Sequence, residues 1–118
     1  MDAPGHTVAE TPAFIADCKD EGVSDVERAA IVNAVAANPK VGDLVQGSGG
    51  VFKRRFAGRG KGKSGGWRVM IAYVGEDRPA YLLALLGKGT RANFDADEIK
   101  AMRELTSELK KAKRAAKD

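Results

Sequence analysis

The 118-residue sequence is poor in the residues that usually announce a function: one cysteine (Cys18), one histidine (His6), one tryptophan (Trp67) and two tyrosines. A single cysteine cannot close an internal disulfide, so a reducing cytoplasm is the default compartment. Long apolar runs are also missing. The longest charge-free stretch, Ala29–Pro39, has 11 residues, against the roughly 20 a membrane-spanning helix needs. The chain does not open on the basic-then-apolar segment of an export signal. Internal repeats and composition breaks are absent, which argues for one compact domain over residues 1–118, with loose ends at 1–5 and about 113–118. Disorder is excluded from the other side, because 43% of the residues are hydrophobic.

The most telling absence is local. Between Val51 and Arg68 there is no acidic residue, while Lys53, Arg54, Arg55, Arg59, Lys61, Lys63 and Arg68 all fall there. Residues 1–50 hold 3 basic and 8 acidic residues, and residues 51–118 hold 17 and 8. Cations clustered among glycines read as a surface for a polyanion, most often nucleic acid.

Local patterns predict the elements. His6–Glu10 suits a short strand. Thr11-Pro12 is an N-cap followed by proline at the first helical position, opening a helix to about Lys19 with Phe14, Ile15 and Cys18 inward. Ser24 and Glu27 form a capping box for a second helix, which carries Val26, Ala30, Ile31, Ala34 and Val35 at helical spacing and ends near Asn38-Pro39. Three strands follow: Val51–Ala57, with Phe52 and Phe56 on one face and Lys53 and Arg55 on the other; Trp67–Val74; and Pro79–Gly87, apolar on both faces. Asp95 and Glu98 cap a terminal helix with Ile99, Met102, Leu105 and Leu109 on one stripe, and the basic end beyond it is expected to fray. The fold class is α+β: a small antiparallel sheet, two N-terminal helices and one C-terminal helix.

Gly62-Lys63-Ser64 looks like the end of a nucleotide-binding phosphate loop. That motif needs glycine where Ala57 stands, and it must run into a helix whose N-terminal amides hold the phosphates. Here Gly65-Gly66 and a strand follow instead. A glycine-rich loop carrying Arg59, Lys61 and Lys63 between two strands suits a clamp on a nucleic-acid backbone, or a hairpin tip kept soluble by its lysines.

Taken in order, Gly47-Ser48-Gly49-Gly50 with Lys53 and Arg55, then Gly60 to Val69, then an apolar strand ending at Lys88, then a capped basic helix, resembles the RelE/ParE superfamily of bacterial type II toxins, in particular its HigB-like RelE branch. The resemblance runs from about Glu10 to about Leu109. It implies a ribosome-dependent messenger-RNA endonuclease that needs no metal or other cofactor, acts in the A site, and is neutralised by a cognate antitoxin of helix-turn-helix type. In that chemistry the substrate's own 2′-hydroxyl attacks the neighbouring phosphorus, so the protein must take a proton, stabilise charge on phosphorus and protonate the departing 5′-oxygen.

The resemblance implies a catalytic set of Lys53, Arg55, Arg68 and Lys88, with RNA contacts from Arg54, Arg59, Lys61, Lys63 and Arg91. Lys53 is the implied proton acceptor, a role for the neutral amine that cationic neighbours favour. Arg68 is the implied holder of the scissile phosphate. Leu86 stands where many relatives carry a tyrosine, and leucine can neither stack on a base nor move a proton. Two other functions fit the same chain: a ParE-like gyrase inhibitor, which would not need the Lys53, Arg55, Arg68 set, and a non-catalytic RNA- or ribosome-binding module. Trp67 suits base stacking or packing against a helix, and the C-terminal basic tail suits ribosomal RNA or solvent.

Overall fold

The computed structural model describes residues 5–58, 62–87 and 94–117. Three helices and one five-stranded sheet form the fold, in the order β1 (Val8–Glu10), α1 (Pro12–Asp20), α2 (Asp25–Ala37), β2 (Asp43–Leu44), β3 (Val51–Gly58), β4 (Gly62–Ala72), β5 (Ala80–Leu86) and α3 (Ala96–Lys117). The spatial strand order is β1-β5-β4-β3-β2. The sheet is mostly antiparallel, and only β1 runs parallel to β5. The α+β class and the three helices follow the expectation, and β2 and the parallel edge are additions to it.

The caps form as the sequence requires. Thr11 Oγ1 accepts from the Phe14 amide at 3.2 Å and donates to the Leu82 carbonyl at 2.7 Å, so one hydroxyl both starts α1 and ties it to β5. Ser24 and Glu27 exchange their reciprocal bonds at 2.9 and 3.1 Å, and Asp95 and Glu98 do the same at 2.9 Å.

Each face of the sheet has its own core. On one face α1 and α2 pack Phe14, Cys18, Ile31 and Val35 against Trp67, Val69, Ile71 and Leu82. On the other, α3 brings Met102 and Leu109 over Val51, Met70 and Ala72. Strand β5 must serve both faces, and a bulge makes this work. Met70 pairs with Ala84 and Ile71 with Leu82, leaving Leu83 as the extra residue. Leu82 and Leu85, three apart, therefore both reach the α1–α2 core, and the Leu85 amide donates to Asp17 Oδ2 at 3.0 Å.

Several local expectations are corrected. Strand β4 begins at Gly62, so the glycine-rich segment extends the β3–β4 hairpin past a bulge between Phe56 and Gly58. Gly66 makes this fit, since a Cβ there would overlap the Phe56 carbonyl. Val26 is 64% exposed on the outer side of α2. On α3 the buried position is Thr106, at 1% exposure, and Leu105 is exposed. Thr106 fits because its hydroxyl donates to the Ser48 carbonyl at 3.0 Å, while Arg103 donates to the Gly47 carbonyl at 3.0 Å. The basic end of α3 is helical through Lys117. No helix among the described residues is long and apolar enough to cross a membrane.

Candidate functional site

The alternation of β3 divides its three consecutive cations between the two faces of the sheet. Lys53 and Arg55, two residues apart, share the face that carries α3. Strand register then brings in the next strands: Arg55 lies directly opposite Arg68, and Arg68 directly opposite Leu86. Side chains facing each other across a ladder have Cβ atoms about 4.5–5.5 Å apart. Lys53, Arg55 and Arg68 are thus one cationic group on three positions of a rigid sheet, with Leu86 beside it. Neither guanidinium has an ion-pair partner among the described residues. Like charges placed directly opposite are unfavourable in a free protein. An arrangement of this kind is relieved when an anion comes between them.

Arg54 is separate from this group. It faces α2, where its guanidinium donates to the Ala34 carbonyl at 3.3 Å and the Asn38 carbonyl at 3.4 Å, and lies 4.8 Å from the Phe56 ring centroid. Burial lowers its pKa by disfavouring the charged form. The carbonyls at the end of α2 offset that cost: the Ala34 oxygen takes Arg54 as a second donor beside the Asn38 amide at 3.2 Å, and the Asn38 oxygen lies just past the last turn. The expected RNA contact thus serves as a helix C-terminal cap on the opposite face. Lys88, Arg59, Lys61 and Arg91 lie outside the described residues, as does the side chain of Lys63.

Beside the cationic group opens a cleft of about 340 Å³, lined by Asp43, Leu44, Lys53, Phe94 and Ile99 among others. Asp43 is the register partner of Lys53 across β2 and β3. The Phe94 ring stands with its centroid 5.7 Å from Lys53 Nζ. Sequence reading missed Phe94, which precedes the Asp95 cap and lies 41 residues along the chain from Lys53. The one available signal was an aromatic residue next to a run of cations and a capping box. Leu86 brings no hydroxyl to the position beside Arg68, and Phe94 supplies a ring but no hydroxyl.

Trp67 takes the packing role. It is 5% exposed, paired with Phe56 across the ladder and closed into the α1–α2 core. The phosphate-loop alternative fails structurally as well, since Ser64 lies within β4 and no helix begins there. Among the described residues no three histidine, cysteine, aspartate or glutamate side chains come together as a metal-binding group.

The family model for the RelE toxin of the RelE / RelB toxin-antitoxin system matches residues 8–117, nearly the whole chain, without distinguishing the HigB-like branch.

Proposed function

The chain belongs to the RelE toxin family, and from that premise we propose that it is a ribosome-dependent messenger-RNA endoribonuclease of the cytoplasm. As a toxin of a toxin-antitoxin system it has a cognate antitoxin as partner; we further propose that this antitoxin is a helix-turn-helix protein and that the messenger is cut in the ribosomal A site.

The observation that carries the proposal is the Arg55–Arg68 cross-strand pair with Lys53 two residues along the same face. Transfer of a phosphodiester onto its own 2′-hydroxyl forms a 2′-oxygen–phosphorus bond and breaks the bond from phosphorus to the 5′-oxygen, leaving a cyclic phosphate and a free 5′-hydroxyl. The intermediate pentavalent phosphorus carries extra negative charge on its non-bridging oxygens. Guanidiniums suit that charge because their planar donors match phosphate oxygens in pairs. Arg68 holds the scissile phosphate, Arg55 faces Arg68 across the ladder, and Lys53 is the candidate acceptor of the 2′-hydroxyl proton. Lys88, two residues beyond Leu86, is the fourth cation of the set and the candidate donor to the 5′-oxygen. The Phe94 ring offers a surface on which a base can stack.

The test is induction of the wild-type chain beside Arg68→Ala, with mapping of messenger 5′ ends. Wild type should arrest growth and leave cuts within translated codons that vanish when translation is blocked. Arg68→Ala should reduce cutting by about 10²–10³, the typical loss on removing one preorganised donor to a developing charge. Intact messages together with stalled gyrase would transfer the chain to the gyrase-inhibitor reading.

A further inference from the structure

We propose that the cleft between β2 and the start of α3 reads a guanine base of the message, the one on the 5′ side of the cut, with Asp43 as the specificity-determining residue. The inference rests on the endoribonuclease reading above and deepens it by naming the base this site selects.

One acid stands beside a group that is otherwise cationic. Asp43 is the one acidic residue among those described that line the cleft. It is the direct partner of Lys53 across β2 and β3, so the two share a face of the sheet. Its place is fixed by its neighbour. Gly42 has φ +123°, and a Cβ there would stand 2.6 Å from the Lys53 carbonyl oxygen. Glycine lets the chain pass this close, and the next residue is then set at the edge of the sheet. The rest of the wall is held by the backbone. The Val45 amide donates to the Val51 carbonyl at 2.9 Å, and the Asp95–Glu98 capping box fixes the turn that follows Phe94.

Polarity along this face follows the order of a nucleotide. Arg55 and Arg68 form the cationic end, Lys53 lies two residues from Arg55, and Asp43 lies one strand beyond Lys53. Asp43 and Arg68 are two strand spacings apart, about 10 Å, the scale of one nucleotide. A carboxylate repels phosphate oxygens, so the RNA backbone is kept to the arginine side. With the phosphate at Arg68 and the 2′-hydroxyl at Lys53, the base on the same ribose is directed into the cleft. The volume of about 340 Å³ is at the low end for ligand sites and suits a single base. The Phe94 ring, 5.7 Å from Lys53 Nζ, gives that base a stacking surface, and Leu44 and Ile99 add apolar walls.

The polar groups then select the base. An ionised carboxylate only accepts hydrogen bonds. Guanine presents two adjacent donors on its Watson–Crick edge, N1–H and the N2 amine, which meet the two carboxylate oxygens in parallel. Adenine and cytosine each set one amine beside a ring acceptor, and uracil sets one N–H between two carbonyls. Each of these three turns an acceptor toward the carboxylate and loses to guanine. Gln46, also in the lining, carries an amide N–H that can donate to guanine O6. A carboxylate placed only to balance Lys53 would show no such preference.

The experiment uses the full-length chain on ribosomes programmed with messages that differ only in the base 5′ of the mapped cut. Single-turnover cleavage gives one readout. Affinity for the same ribosomes with a 2′-deoxy nucleotide at that position, which blocks the attack, gives the second. Wild type should favour guanine by roughly 10- to 100-fold in both, the discrimination of a good bidentate contact to a base edge. Asp43→Asn should lower cleavage at guanine codons by about tenfold or more and bring the four codons within about threefold of one another. Asp43→Glu, which keeps the carboxylate, should keep guanine first. Melting curves check that both variants fold. Wild type that cuts without base dependence would overturn the pocket while leaving the nuclease standing. A guanine preference that survives in Asp43→Asn would overturn it as well. So would an equal loss at all four codons with a shifted pH profile, which would assign Asp43 to Lys53 instead. Guanine-dependent affinity without any cutting would keep the pocket and remove the nuclease alone. No base dependence in either readout overturns the pocket.

Discussion

At the scale of single residues, three consecutive cations on β3 have three different environments. Lys53 stands beside a cleft and an aromatic ring, Arg55 faces Arg68, and Arg54 caps α2 from the opposite face. Two predictions separate these roles. Arg55→Ala should lower cleavage by about 10²–10³ and leave the melting temperature unchanged or slightly raised, because it removes a donor to the developing charge and also a like-charge neighbour. Arg54→Ala should do the reverse in stability, costing about 1–3 kcal/mol in a denaturant titration because it leaves the Ala34 and Asn38 carbonyls without their charged donor. Cys18 makes a third case. Burial pushes its thiol up to about 11, with Glu10 and Asp17 adding to the rise and Arg28 opposing it. At pH 8 the thiolate fraction is then about one part in a thousand, and alkylation of the folded chain should run at least 100-fold slower than in denaturant. The folded value lies above the unfolded one, so the associated stability is complete below about pH 9 and is lost as pH rises through about 11. Period-two alternation was enough to separate Lys53 and Arg55 from Arg54 on the page. That Arg54 meets the end of α2, or that Phe94 meets Lys53, depends on packing between distant segments, which no local pattern carries.

At the scale of elements, the glycine-rich turn between β2 and β3 is the seat of α3. Ser48 Oγ accepts from the Val51 amide at 2.9 Å, closing the turn, and Gly49 sits under Thr106 with φ +83°. A Cβ on Gly49 would lie 2.5 Å from Thr106 Oγ1. Gly49→Ala should therefore cost about 1–3 kcal/mol from backbone strain and lost docking, with faster amide exchange concentrated in α3. Thr106→Val, which keeps the volume but deletes the hydroxyl bonded to Ser48, should loosen the same helix less, by about 1 kcal/mol in a melting curve. The Gly-Ser-Gly-Gly motif that carried much of the family resemblance is thus a packing device at this position. Helices were legible because caps, proline and glycine mark their ends within three or four residues. Strand β2 escaped notice because two residues carry no period, and the bulge at Leu83 because a strand apolar on both faces hides its register.

At the scale of the molecule, a sheet covered on both sides puts β4 at the centre. Its neighbours β3 and β5 satisfy both edges, and Val69, Met70, Ile71 and Ala72 are all buried. Native-state hydrogen exchange should find the amides of residues 69–72 slowest, opening only with global unfolding, and those at the ends of α2 and α3 much faster. Slower exchange in α2 than in β4 would contradict this layout. The same centrality bears on Arg68, which belongs to that strand and meets Arg55 through the ladder rather than through a loop. The gap between the two guanidinium stems is then a constant of the scaffold, present before any guest arrives. Whatever phosphate settles there must conform to a spacing it did not choose, and the work of bending into a reactive shape falls on the RNA.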